Sequence, residues 1–217
     1  MSVKDVLNKA LKIPKKHHPK RAVKSLVARN FYIDGNLFIE SFDCSNNIHS
    51  MQNRNFRAKA VVSLAMSIEC SLKAIIISLS LDSESPTNAY KTSRGLSHNL
   101  EKLYNEVIVR AKKRVKLPKN NNQVFNDLKD LKVSSRYSFE VWLLRSQSPN
   151  KKFYLGQDII SKTIDSFEWL SKVRSEAVVL NNFANKCYKK YLDKHSILSG
   201  SKFKTYDAEL KNFISSL

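Results

Sequence analysis

His98 stands four residues after Arg94, with Glu69 and Lys73 upstream and the pair Arg136 and Tyr137 downstream. These residue types suit acid–base and phosphate chemistry. An imidazole exchanges a proton near neutral pH, and a guanidinium grips phosphate oxygens. His98, Arg94 and Arg136 are therefore the candidate catalytic residues. His98, read at the first position of a helix, can also bind a phosphate with help from that terminus. The competing reading is structural: His98 ties a loop to Glu69, and Arg136 pairs with Glu69 in the interior. That reading carries more weight, because a lone histidine without a suitably spaced arginine lacks a mechanism. Tyr137, Tyr104 and Trp142 are explained by helical spacing as core or interface aromatics.

Positioning these side chains falls first to the stretch 57–81, RAKAVVSLAMSIECSLKAIIISLSL. Val61, Leu64, Ala65, Ile68, Leu72, Ile75, Ile76 and Leu79 recur on one face at 100° per residue, which predicts a central amphipathic helix. Ser63, Ser67 and Ser71 form a small-residue face where a neighbouring helix can approach. Glu69 and Lys73 sit one turn apart, acid before base. The segment is long enough to cross a bilayer, but two mid-segment charges each cost about 2.5–3.5 kcal/mol at bilayer centre. The expectation is a core helix and no transmembrane segment.

Around it the pattern predicts a helix over 26–42 in which Gly35 is a weak spot, then a polar connection over 44–55. A loop is expected at 82–96 from its Ser, Asp, Pro and Gly content. Ser97 is the expected N-cap of a helix running to Pro118, with Leu100, Leu103, Tyr104, Val107, Ile108 and Ala111 inward. Further helical series occupy 124–144, with a break near Ser134, and 157–192. A short helix is expected near the C-terminus. No segment alternates with period two long enough to argue a sheet. The expected organisation is a basic N-terminal arm over 1–25, whose first dozen residues suit a short amphipathic helix, a helical bundle over 26–195, and a C-terminal linker and short helix over 196–217.

Charge is the strongest global signal: 38 Lys and Arg against 19 Asp and Glu give a formal charge of +19. Such a field attracts polyanions. Two clusters are candidate nucleic-acid contacts: Lys15, Lys16, Lys20 and Arg21 in the arm, and Arg110, Lys112, Lys113, Arg114 and Lys116 further on. The arm reads equally as a membrane-surface anchor, a nuclear address or a solubilising tail. His17 and His18 lack acidic or cysteine neighbours, and Cys44, Cys70 and Cys187 form no CxxC pair, so no metal site or cofactor is expected. Unpaired cysteines and the missing apolar stretch of a signal peptide suggest the cytoplasm. No Gly-rich phosphate loop, HExxH pair or nucleophile elbow is present.

The texts IECSLKAIII, SRGLSHNLEKLY and SRYS at 135–138 occur in an order that resembles the HEPN superfamily. The matching positions are Glu69, Leu72, Lys73, His98, Leu100, Leu103, Arg136 and Tyr137, across roughly 26–192. Asn99 stands where Asp is common, and Ser97 where Gly is. The resemblance implies an all-α bundle of four to five helices, often a two-fold dimer, that binds nucleotides or cuts RNA. Glu69, Lys73 and Tyr137 would serve as structural polar residues. Ribonuclease members use an Arg and a His with four to six residues between them, with His moving a proton at the ribose 2′-OH and Arg holding phosphate, without metal. Arg94 and His98 have three residues between them, so this chain departs from that signature.

Three functions follow as expectations. The first is a basic helical module that binds RNA or a nucleotide without efficient catalysis. The second is a metal-independent endoribonuclease of toxin or antiphage type. The third is an antitoxin, immunity or adaptor protein whose basic face meets an acidic partner.

Overall fold

The computed structural model describes residues 18–46, 52–112, 114–119, 122–130, 163–193 and 202–217. Within them the chain is all-α, with seven helices and no strand. They are α1 Pro19–Ser45, α2 Arg54–Ser78, α3 Pro86–Gly95, α4 Leu100–Ala111, α5 Asn122–Asp130, α6 Phe167–Tyr191 and α7 Lys202–Ile214. The expected helix over the first dozen residues, Lys15, Lys16, Lys113, Arg136, Tyr137 and Trp142 lie outside the described residues.

α2 is the hub: it packs most extensively on α1 and α6, and also receives α3 and α4. Leu64, Ile68, Leu72, Ile75 and Ile76 are fully buried in it. It is long and apolar enough to cross a membrane, yet 78% of its most apolar window is buried inside the protein. Asn53 caps its start, accepting from the Asn55 amide. The serine face does what small residues permit, since Ser67 and Ser71 are fully buried. Opposite them lies Gly35 of α1, so the expected weak spot is a point of close helix approach.

Three expectations need correction. α1 begins at Pro19, with Pro in its first turn, so Lys20, Arg21 and Lys24 belong to a helix rather than to an arm ahead of it. The expected loop over 82–96 holds α3, capped by Ser85 and started by Pro86, a favoured pairing at a helix start. α4 is capped by Asn99, whose side chain accepts from the Lys102 amide, and it ends at Ala111 rather than near Pro118. Ser97 instead takes a positive φ of 52° in the turn between α3 and α4.

Polar ties set the helix packing. Arg174 on α6 grips Asp43 on α1 with two nitrogens. Arg57 on α2 donates to the Ile164 carbonyl and to Asp165 just ahead of α6. Trp169 donates from Nε1 to Asp127, holding α5 against α6. α7 rests on α1, with Phe213 edge-on to Tyr90 of α3, and Tyr90 stacked in turn on Phe31.

Candidate functional site

Glu69 is 4% exposed in the middle of α2, and a buried carboxylate needs partners. It has two. Lys73, one turn on, donates from Nζ to Oε1 at 2.6 Å. His98, in the turn before α4, donates from Nδ1 to Oε2 at 2.8 Å. With Nδ1 engaged by Glu69, Nε2 is the ring nitrogen left for another partner. The Lys73 ammonium also lies 5.8 Å from the Phe31 ring centroid, within cation–π range.

The His98 side chain remains 50% exposed while Glu69 is buried, so the pair has one anchored end and one open end. Chemically this is an oriented imidazole with an accessible edge, an arrangement suited to proton transfer or to fastening a turn. Arg94, in the last turn of α3, is exposed and its guanidinium pairs with no described residue. Sequence and structure thus agree in bringing His98, Glu69 and Lys73 together. Arg94 does not join that ion-paired group.

The candidate nucleic-acid residues separate into tied and open side chains. Arg21 grips Asp82, which holds that carboxyl below the usual carboxylate range. Arg110 is held bidentately by Glu84 at 2.7 and 3.0 Å and by Glu106 at 2.6 Å. Arg114 donates to the Leu79 carbonyl at 2.7 Å and lies 5.4 Å from the Tyr191 ring centroid. Lys112 and Lys116 are exposed and pair with no described residue. Lys112 sits at φ 31°, where the helix has ended, so Arg110 lies on α4 while Arg114 and Lys116 lie beyond it.

Lys24 was not among the sequence candidates. It is 2% exposed on α1 and donates to the Leu81 carbonyl at 2.7 Å. Burial pushes its pKa down to about 8, against the pull of Glu84 and Asp82. The available signal was its context, since Ala22, Val23 and Ser25 around it are all buried small residues. Among the described residues no cluster of three His, Cys, Asp or Glu side chains could hold a metal ion.

Comparison of the chain with family models, curated proteins and solved structures finds no match in any of the three. The resemblance to HEPN proteins therefore rests on the short texts that carry it.

Proposed function

We propose that the protein is a HEPN-like helical bundle that binds RNA or a nucleotide through its basic surface, without efficient catalysis. The charge carries this reading. With every carboxylate neutralised by a cation, a formal excess of +19 still remains. Many of the described acids are held in ion pairs, while exposed cations such as Arg94, Lys112 and Lys116 pair with no described residue. A field of that size draws polyanions to the surface and concentrates them there. The burial of α2 supports reading it as a core helix with the charge arranged outside it. Anisotropy of a fluorescently labelled single-stranded RNA tests it: saturable binding is expected, and a flat signal at low salt contradicts it.

One observation favours a second reading, a metal-independent endoribonuclease. Glu69 orients His98 by its Nδ1 and leaves the other ring edge open, as a general base requires. RNA incubated in EDTA with the wild type and with His98→Ala separates the two readings. Cleavage that His98→Ala abolishes supports the enzyme; equal cleavage by both proteins, or none by either, removes it.

A further inference from the structure

A pocket of about 380 Å³ opens where the C-terminal ends of α2 and α6 meet the first turns of α1. Its lining includes Arg21, Lys24, Ser78, Arg114, Lys190 and Tyr191, with Asp82 as the single carboxylate among the described residues. Part of this charge answers the fold itself. Lys24 and Arg114 donate to the carbonyls of Leu81 and Leu79, which follow the end of α2 and need donors. Glu84 also pulls on Lys24, and the end of the α6 dipole favours Lys190. That leaves Lys190 as the one of these four cations without an acid or carbonyl among the described residues. Its ammonium lies 5.1 Å from the Tyr191 ring centroid, beside Arg114.

Ser78 supplies an independent indication. It is 2% exposed, lines the pocket, and its Oγ has no hydrogen-bond partner. Buried hydroxyls are almost always satisfied, so an orphan at the wall of a cationic pocket points to a missing acceptor or donor. The ammonium of Lys24 likewise has three N–H groups and one acceptor in the protein.

We infer that this pocket binds a phosphomonoester, with Lys24, Arg114 and Lys190 supplying charge and Ser78 a hydroxyl. At neutral pH such a group carries a charge near −2 and three acceptor oxygens, which fits several donors converging from different helices. The volume lies at the lower end of small-molecule sites, enough for a nucleoside monophosphate beside the Tyr191 ring. The same chemistry is offered by a free nucleotide and by the 5′-phosphate of an RNA strand. This inference deepens the RNA or nucleotide reading and rests on it for the choice of ligand.

Calorimetric titration of the full chain with AMP, inorganic phosphate and adenosine tests it. AMP is expected to bind one to one, phosphate more weakly, and adenosine not at all. Ser78→Ala removes an unpaired hydroxyl and Lys190→Gln an exposed charge beside the Tyr191 ring, and circular dichroism checks that both variants retain the fold. Together they are expected to weaken AMP by about tenfold or more. A tighter grip on 5′-phosphorylated than on 5′-hydroxyl RNA, lost in the double variant, would identify the strand end as the source. An advantage confined to AMP would identify the free nucleotide. Undetectable AMP and phosphate binding, or unchanged affinity in the folded double variant, overturns the pocket assignment. RNA binding that persists through that result leaves the broader reading standing, and AMP binding without RNA binding removes only the RNA half of it.

Discussion

Gly35 and Asn181 meet so closely that a Cβ on Gly35 would lie 2.7 Å from Nδ2 of Asn181. The same Nδ2 donates to the Tyr32 carbonyl at 3.1 Å and to Ser71 Oγ at 3.2 Å. One amide thus joins the three long helices α1, α2 and α6, and Gly35 makes the room for it.

Gly35→Ala sets two effects against each other. Alanine favours a helix interior by about 1 kcal/mol. The added carbon also meets Ser71 Oγ at 3.0 Å and the Ser67 carbonyl at 3.3 Å, so the amide cannot step aside freely. Overpacking of this kind costs about 1–3 kcal/mol, and the sterics win. Urea denaturation should show a lower midpoint for Gly35→Ala; an unchanged or higher midpoint would contradict the close approach.

The two partners of Glu69 should respond unequally to mutation. Glu69→Ala leaves Lys73 buried without its counter-charge and is expected to cost about 3–5 kcal/mol. His98→Ala removes one hydrogen bond from a half-exposed side chain and should cost about 1–2 kcal/mol. Denaturant titrations of both variants check the order. Equal losses would mean that His98, rather than Lys73, is the essential partner of the buried carboxylate.

Lys24 gives stability a definite dependence on pH. Its folded pKa of about 8 lies below the ordinary lysine value of 10.5, so between those limits the unfolded chain holds the extra proton. Stability therefore rises with pH across that window, and the cost of burying the ammonium is felt fully below about pH 8. Glu84 and Asp82 oppose the shift, while Arg110 and Arg21 add to it. Relative to Lys24→Met, the wild type should gain stability from pH 8 to 10.5. Parallel curves for the two proteins would show an ordinary solvated lysine.

The three cysteines should divide one against two. Cys44 is exposed, whereas burial pushes the thiols of Cys70 and Cys187 up to about 12. A thiol-specific disulfide reagent at pH 8 is expected to react promptly with one equivalent, and with all three only after unfolding. Prompt reaction of a second equivalent in the native protein would contradict the packing around α2 or α6.

Apolar periodicity and small-residue spacing made α2 legible, including Ser67 and Ser71 as a contact face and Glu69 as the partner of Lys73 and His98. Local turn chemistry was less legible. Ser, Asp and Pro before residue 86 read as loop, although Ser85 followed by Pro86 is also how a helix begins. Ser97 and Asn99 are both good caps; the structure decides for Asn99, which accepts from the Lys102 amide, while Ser97 takes a positive φ. Long-range pairing was not legible at all. Arg21 and Arg110 stand in basic runs, yet Asp82 and Glu84 consume them from across the sequence. Lys24 looks solvated in the text PKRAVKSLVA until the Leu81 carbonyl appears beside it.

The claim that the surplus positive charge exists to hold a polyanion is tested most directly by the salt dependence of RNA affinity. With about five phosphates neutralised on a single strand, affinity should fall about 100-fold between 50 and 200 mM salt. A slope near zero over that range, or no binding at its lower end, would contradict the account.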